Sequence, residues 1–111
     1  MPGRILRLVP YFILRYQVVD DYFARREPFR AAHFSLADEF TGRGELLLGG
    51  ALEDPADETV LVFRAPEAAR VESFVARDPY VANGLVGSWS IRRWRVAAGA
   101  ASLPEDRPPG L

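Results

Sequence analysis

The only histidine of the chain, His33, stands three residues after Arg30. On a helix that spacing raises both side chains from one turn, where they could address a single anion or carbonyl group. An imidazole titrates near neutral pH and can take up and return a proton. Asp78, in Asp78-Pro79-Tyr80, is the candidate for the carboxylate that would orient it as a His-Asp pair. Each residue also has a plainer reading. His33 sits amid apolar neighbours and could be a core histidine with one hydrogen-bonded nitrogen. Arg30 could be an arginine lying along the rim, and Asp78 a turn aspartate braced by Pro79. The residues alone leave both readings open.

Other chemistry finds little support. The chain has no cysteine, which excludes a thiol nucleophile, thiolate metal sites and disulfides. Asp20 with Asp21 and Asp54 with Asp57 are paired acids without a second histidine, so they read as turn residues and no metal site is expected. Gly49-Gly50 lacks the flanking pattern of a phosphate loop. No serine stands in a nucleophile elbow. Formal net charge is -1, from 14 basic against 15 acidic residues, so nothing neutralises a phosphate backbone and nucleic acid is not an expected partner. Every basic residue is arginine, which reads as compositional bias rather than an arginine-specific task.

The secondary structure around these residues can be read from pattern. At 49% hydrophobic and 26% charged residues in 111 positions, the chain has the composition of one folded domain. Tyr11 to Val18 reads as a first strand, with Phe12, Leu14, Tyr16 and Val18 on one face and Tyr11, Ile13, Arg15 and Gln17 on the other. A short turn of helix around Asp21 to Arg25 precedes a main helix from near Pro28 to about Thr41, stopped by Gly42-Arg43-Gly44. Its apolar face carries Phe29, His33, Leu36, Ala37 and Phe40. Glu45 to Leu52 is a second strand in which Gly49 and Gly50 mark a bulge or a close approach. Thr59 to Phe63 is a third, and a second helix from Pro66 ends at Asp78-Pro79. The fourth strand runs from about Ser88 to Ala97, and its apolar phase changes between Trp89/Ile91 and Trp94/Val96, which calls for a bulge or two buried faces. Residues 1–10 read as a leader too short for a signal peptide or a membrane span, residues 11–99 as the domain, and residues 100–111, with three prolines, as a flexible tail. No membrane partner is expected, and the expected location is the cytoplasm.

Strand, helix, strand, strand, helix, strand is the order of a ferredoxin-like βαββαβ domain of the α+β class: a four-stranded antiparallel sheet with two helices on one face. Two helices cannot cover both faces. The strands are apolar on both, so a second copy laid sheet to sheet is the expected cover, giving a homodimer.

The set Arg30-Ala31-Ala32-His33, Gly49-Gly50-Ala51-Leu52 with Asp54-Pro55, Asp78-Pro79-Tyr80-Val81 with Asn83-Gly84-Leu85, and Trp94 resembles the motifs of the YciI-like (YCII-related) family over about Tyr11 to Gly99. The resemblance implies a dimeric α+β barrel and an active site around the histidine of R-x-x-H and the aspartate of Asp-Pro-Tyr, here His33 and Asp78. Arg30, Gly49, Gly50 and Tyr80 are the expected substrate contacts. Asn83-Gly84 departs from the Ala-Gly of many relatives, and the leader and proline-rich tail are additions. Three functions compete. The first is a cofactor-free lyase or isomerase that moves a proton on a small carbonyl or lactone compound. The second is a non-catalytic small-ligand binding or accessory domain. The third is haem binding through His33 as an axial ligand.

Overall fold

Alternation of large apolar and polar residues makes Tyr11–Val18 the strand β1, with Phe12, Leu14 and Tyr16 buried and Arg15 and Gln17 exposed. The computed structural model describes residues 9–99. Most of the expected leader and all of the expected tail lie outside the described residues. β1 is central in an antiparallel sheet of order β2-β3-β1-β4, in which β2 is Leu46–Ala51, β3 is Glu58–Arg64 and β4 is Val86–Trp94. The helices are α1 (Tyr22–Arg25), α2 (Glu27–Gly42), α3 (Ala68–Arg77) and α4 (Pro79–Ala82). The chain therefore has the expected α+β, ferredoxin-like architecture, with one helical turn more than the sequence reading contained.

That extra turn comes from Asp78-Pro79. The pair does end α3, because a residue before proline leaves the helical region, and Asp78 is extended at φ -74 and ψ 117. The same two residues are also a start signal, a capping aspartate followed by proline in the first helical position. Gly44 and Gly84, both at φ 75, then close α2 and α4 in the left-handed region that side chains disfavour.

Leu36 and Phe40 of α2 and Val71, Phe74 and Val75 of α3 pack on Phe12, Leu14, Tyr16, Leu61 and Phe63 of the sheet. At the centre, Phe40, Phe63 and Phe74 meet edge to face with ring centroids 5.2 to 6.2 Å apart. A smaller cluster of Tyr22, Tyr80 and Leu85 with Phe29 fills the end of the layer where α4 sits. Register then assigns the other sheet face. Tyr11, Ile13, Val60, Val62, Leu48 and Trp94 lie across from one another in the ladders, on the side away from the buried set, and Leu48 is 65% exposed.

β4 begins and ends earlier than the expected Ser88 to Ala97. Gly87 is an extra residue opposite the Gln17/Val18 step, a bulge near the start of the strand. Trp89 and Ile91 pair with Tyr16 and Leu14, Trp94 pairs with Tyr11 on the opposite face, and Val96 lies past the strand. Both tryptophans remain 46% exposed.

A network of charges ties α2, β2 and α3 together over the Phe40 ring. Arg77 pairs with Glu39, Arg70 with Glu45, and Arg43 with both acids. The guanidinium of Arg77, helped by Arg43, brings the Glu39 carboxyl down to about 2, and Arg70 with Arg43 does the same for Glu45. A carboxyl lowered on folding contributes stability above its unfolded value and loses it as the pH falls through the folded one. The urea midpoint should therefore decline between about pH 4.5 and about pH 2. Arg70→Gln should lower the midpoint at neutral pH and flatten that decline. An identical pH profile in the variant would show that the network does not stabilise the fold. Among the described residues, no helix is long and apolar enough to cross a membrane.

Candidate active site

Asp78 is fully buried at the junction of α3 and α4, and a carboxylate in that position must have its lone pairs filled. It accepts from three sources. Oδ1 takes the Tyr80 backbone N–H at 3.0 Å, which is also the N-cap bond of α4. Oδ2 takes the Tyr16 hydroxyl at 2.8 Å, from the centre of β1. Oδ1 also lies 2.9 Å from Nδ1 of His33, on α2. Burial, together with the Asp78 charge, pushes the Tyr16 phenol far above its ordinary range, so it stays a donor.

Since a carboxylate only accepts, Nδ1 of His33 carries the hydrogen and the neutral ring leaves Nε2 as the basic nitrogen. Among the described residues, Nε2 has no hydrogen-bond partner. The ring plane is held by Tyr80, stacked on it at 3.9 Å between centroids and 11° between planes. Phe34 meets it edge to face at 5.2 Å. Backbone and side chain of Tyr80 thus fix both partners of the pair, one by a hydrogen bond and one by stacking.

His33 and Tyr80 line a cleft of about 270 Å³ between α2, the edge strand β2 and α4. Leu46 to Ala51 form its outer wall, Leu61 and Thr59 belong to its sheet side, and Arg26 and Phe34 also line it. Gly49 and Gly50 lie on opposite faces of β2, across from Leu61 and Val60, and both reach the cleft because β2 is an edge. A Cβ on Gly49 would come within 3.1 Å of Leu61 Cγ, so a larger residue there crowds the cleft, whereas Gly50 has open space. The Thr59 hydroxyl is buried without a hydrogen-bond partner.

The structure therefore brings His33, Tyr80, Gly49 and Gly50 to one cleft, with Asp78 directly behind His33. Arg30 is placed differently. It is exposed, its guanidinium lies over the Phe34 ring at 5.0 Å, and it is not part of the cleft wall.

A family model of the YCII-related domain matches residues 9–95. The chain belongs to the YCII-related domain family. No curated protein matches the sequence at a significant level. Among solved structures the fold is similar to 5-chloro-2-hydroxyhydroquinone dehydrochlorinase from Burkholderia phenoliruptrix AC1100, in complex with 2,5-dihydroxybenzoquinone. That likeness has a TM-score of 0.64 and 21% identity, and covers 76% of this chain and 92% of the other. It is also similar to a conserved protein from Methanosarcina mazei Go1 (TM-score 0.53, 12% identity, 83% of this chain and 97% of the other). A Pseudomonas aeruginosa protein matches at TM-score 0.52 with 10% identity, over 78% of this chain and 92% of the other.

In this YCII-related domain three side chains at the site went unnoticed in the sequence. Tyr16 reads as one more aromatic of a core strand, and nothing local reveals that its hydroxyl bonds a residue 62 positions away. Arg26 sits at the joint of α1 and α2, outside the periodic part of either helix. Thr59 reads as a strand residue. Only the helical spacing of Arg26 before Arg30 could have pointed to a second cation near His33.

Proposed function

We propose that this YCII-related domain is a cofactor-free enzyme that moves a proton at a carbon beside a carbonyl group on a small ring compound, as an isomerase or a lyase. The observation that carries this reading is the Asp78-held imidazole of His33, with Nδ1 engaged at 2.9 Å and Nε2 unpartnered beside a cleft of about 270 Å³. Nε2 takes the proton from the carbon, and the electron pair of the C–H bond moves onto the carbonyl oxygen as an enolate. In an isomerisation the imidazolium returns the proton at a different carbon. In a lyase reaction a group on the neighbouring carbon leaves with its electron pair, and the proton passes from His33 to solvent. Asp78 holds the imidazole in the required tautomer, and Tyr16 steadies Asp78.

The developing enolate needs a cation. Arg26, in the cleft wall, is close enough to act on the Tyr80 phenol, which burial pushes up and this charge pulls down. The named activity of the Burkholderia relative, removal of chloride from a chlorinated hydroxyhydroquinone, indicates the compounds to try first. The test is turnover of lactones, enol acids and halogenated hydroquinones, followed by absorbance and chloride release. Neither binding nor turnover across that set would favour a non-catalytic binding domain. A haem is the poorer candidate, because the cleft matches a single ring rather than a macrocycle.

The same reading takes the working form as a homodimer closed through the open sheet face, where Tyr11, Ile13, Leu48, Val60, Val62 and Trp94 stand beside Arg15, Arg64 and Arg92. Light scattering during size exclusion should give twice the chain mass of 12.4 kDa. Ile13→Asp should yield monomer or aggregate. A folded, micromolar monomer of the unaltered chain would remove the dimer from the account.

A further inference from the structure

The cleft is asymmetric in charge and small in volume. Arg26 is half-buried in its wall, its guanidinium held over the Tyr22 and Phe23 rings at 5.6 and 4.7 Å. Among the described residues it has no carboxylate partner. At the far end of the cleft stands Asp38, twelve residues along α2, which is about 18 Å of helical rise. A partly buried cation without a counter-charge is costly unless a ligand supplies one. In size, an engineered apolar cavity of about 150 Å³ takes one benzene, so about 270 Å³ takes one ring with its oxygen substituents.

We propose that Arg26 is the substrate-binding cation of this cleft and selects a single-ring compound bearing an ionised oxygen, a phenolate, enolate or carboxylate. The inference rests on the proton-transfer reading above and narrows it: a neutral lactone would leave Arg26 partly desolvated and unpaired. Aromatic rings behind the guanidinium hold its plane and leave its N–H fork for the anion. Asp38, exposed at the opposite end, offers an anion no partner, so the charged oxygen sits at Arg26. The Tyr80 ring, stacked on His33, lines the same cleft as Arg26.

Calorimetric titration with 2,5-dihydroxybenzoquinone, ionised at neutral pH, and with its uncharged 2,5-dimethoxy analogue tests this. Arg26→Gln should weaken binding of the first by about tenfold or more, the usual cost of losing a charge-assisted hydrogen bond, and leave the second unchanged. Arg26→Lys should fall between, and Arg30→Gln should bind as the unaltered protein does. Equal affinity of Arg26→Gln and the unaltered chain for the ionised probe would overturn the inference, as would failure of the unaltered chain to bind it. The titration reads binding without chemistry, so it remains distinct from the proton-transfer reading, which fails if His33→Ala turns over as fast as the unaltered chain.

Discussion

Replacing His33 by alanine is expected to lower kcat by about two to four orders of magnitude, the usual share of a positioned general acid-base group, while the fold persists. The expectation follows from the surroundings of Nε2. It is the basic nitrogen of a ring whose other nitrogen is engaged by Asp78, and no second imidazole or thiol exists in the chain to replace it. Alanine also removes a ring stacked on Tyr80 and leaves a cavity, so a stability loss must be separated from a catalytic one. His33→Gln serves for that, because its amide can still donate toward Asp78 but cannot carry a proton back and forth. Both variants should show the same loss of kcat if acid-base chemistry is the cause. Full activity in His33→Gln would assign the residue a packing role.

Asp78→Asn should lower kcat to a similar degree, by about two orders of magnitude or more, with little change in KM. The amide keeps the size of the carboxylate and can still accept from Tyr80 N–H, but the negative charge beside the imidazole is gone. Asp78→Ala is expected to behave differently. It strands the Tyr16 hydroxyl, the Tyr80 N–H and the His33 Nδ1–H in the interior, and breaking such a buried charged contact costs about 3–5 kcal/mol. Loss of folding in the alanine variant beside loss of kcat alone in the asparagine variant would separate the two contributions of Asp78. Equal kcat in Asp78→Asn and the unaltered chain would remove the carboxylate from the mechanism.

The sheet was legible because its signals are local and repeated. Phe12, Leu14 and Tyr16 against Ile13, Arg15 and Gln17 define two faces of β1, and the register puts the same division across all four strands. Boundaries were less legible where one short signal has two uses. Asp78-Pro79 stops one helix and starts another, and β4 puts Trp89 and Ile91 on one face and Trp94 on the other within one unbroken register, so its two apolar phases are two faces. At the site, types and spacing left His33 and Asp78 open between a core histidine with a turn aspartate and a His-Asp pair, and the pair came from the resemblance to the YCII-related motifs. Arg30 drew attention because it shares a helical turn with His33, yet shared turns do not set side-chain direction. The aromatic ring of Phe34 draws Arg30 outward, while the joint between α1 and α2 turns Arg26 into the cleft. Tyr16 was hidden because a hydroxyl contact across 62 positions leaves no trace in either neighbourhood.

If His33 moves a proton to and from carbon, isotope exchange measures that step without an intermediary. With a turned-over hydroquinone or enol acid in deuterium oxide, proton NMR should show loss of the signal at the carbon beside the carbonyl, catalysed by the unaltered protein. His33→Gln should slow it by about two orders of magnitude or more. Exchange at equal rates in the two proteins would contradict proton transfer by His33.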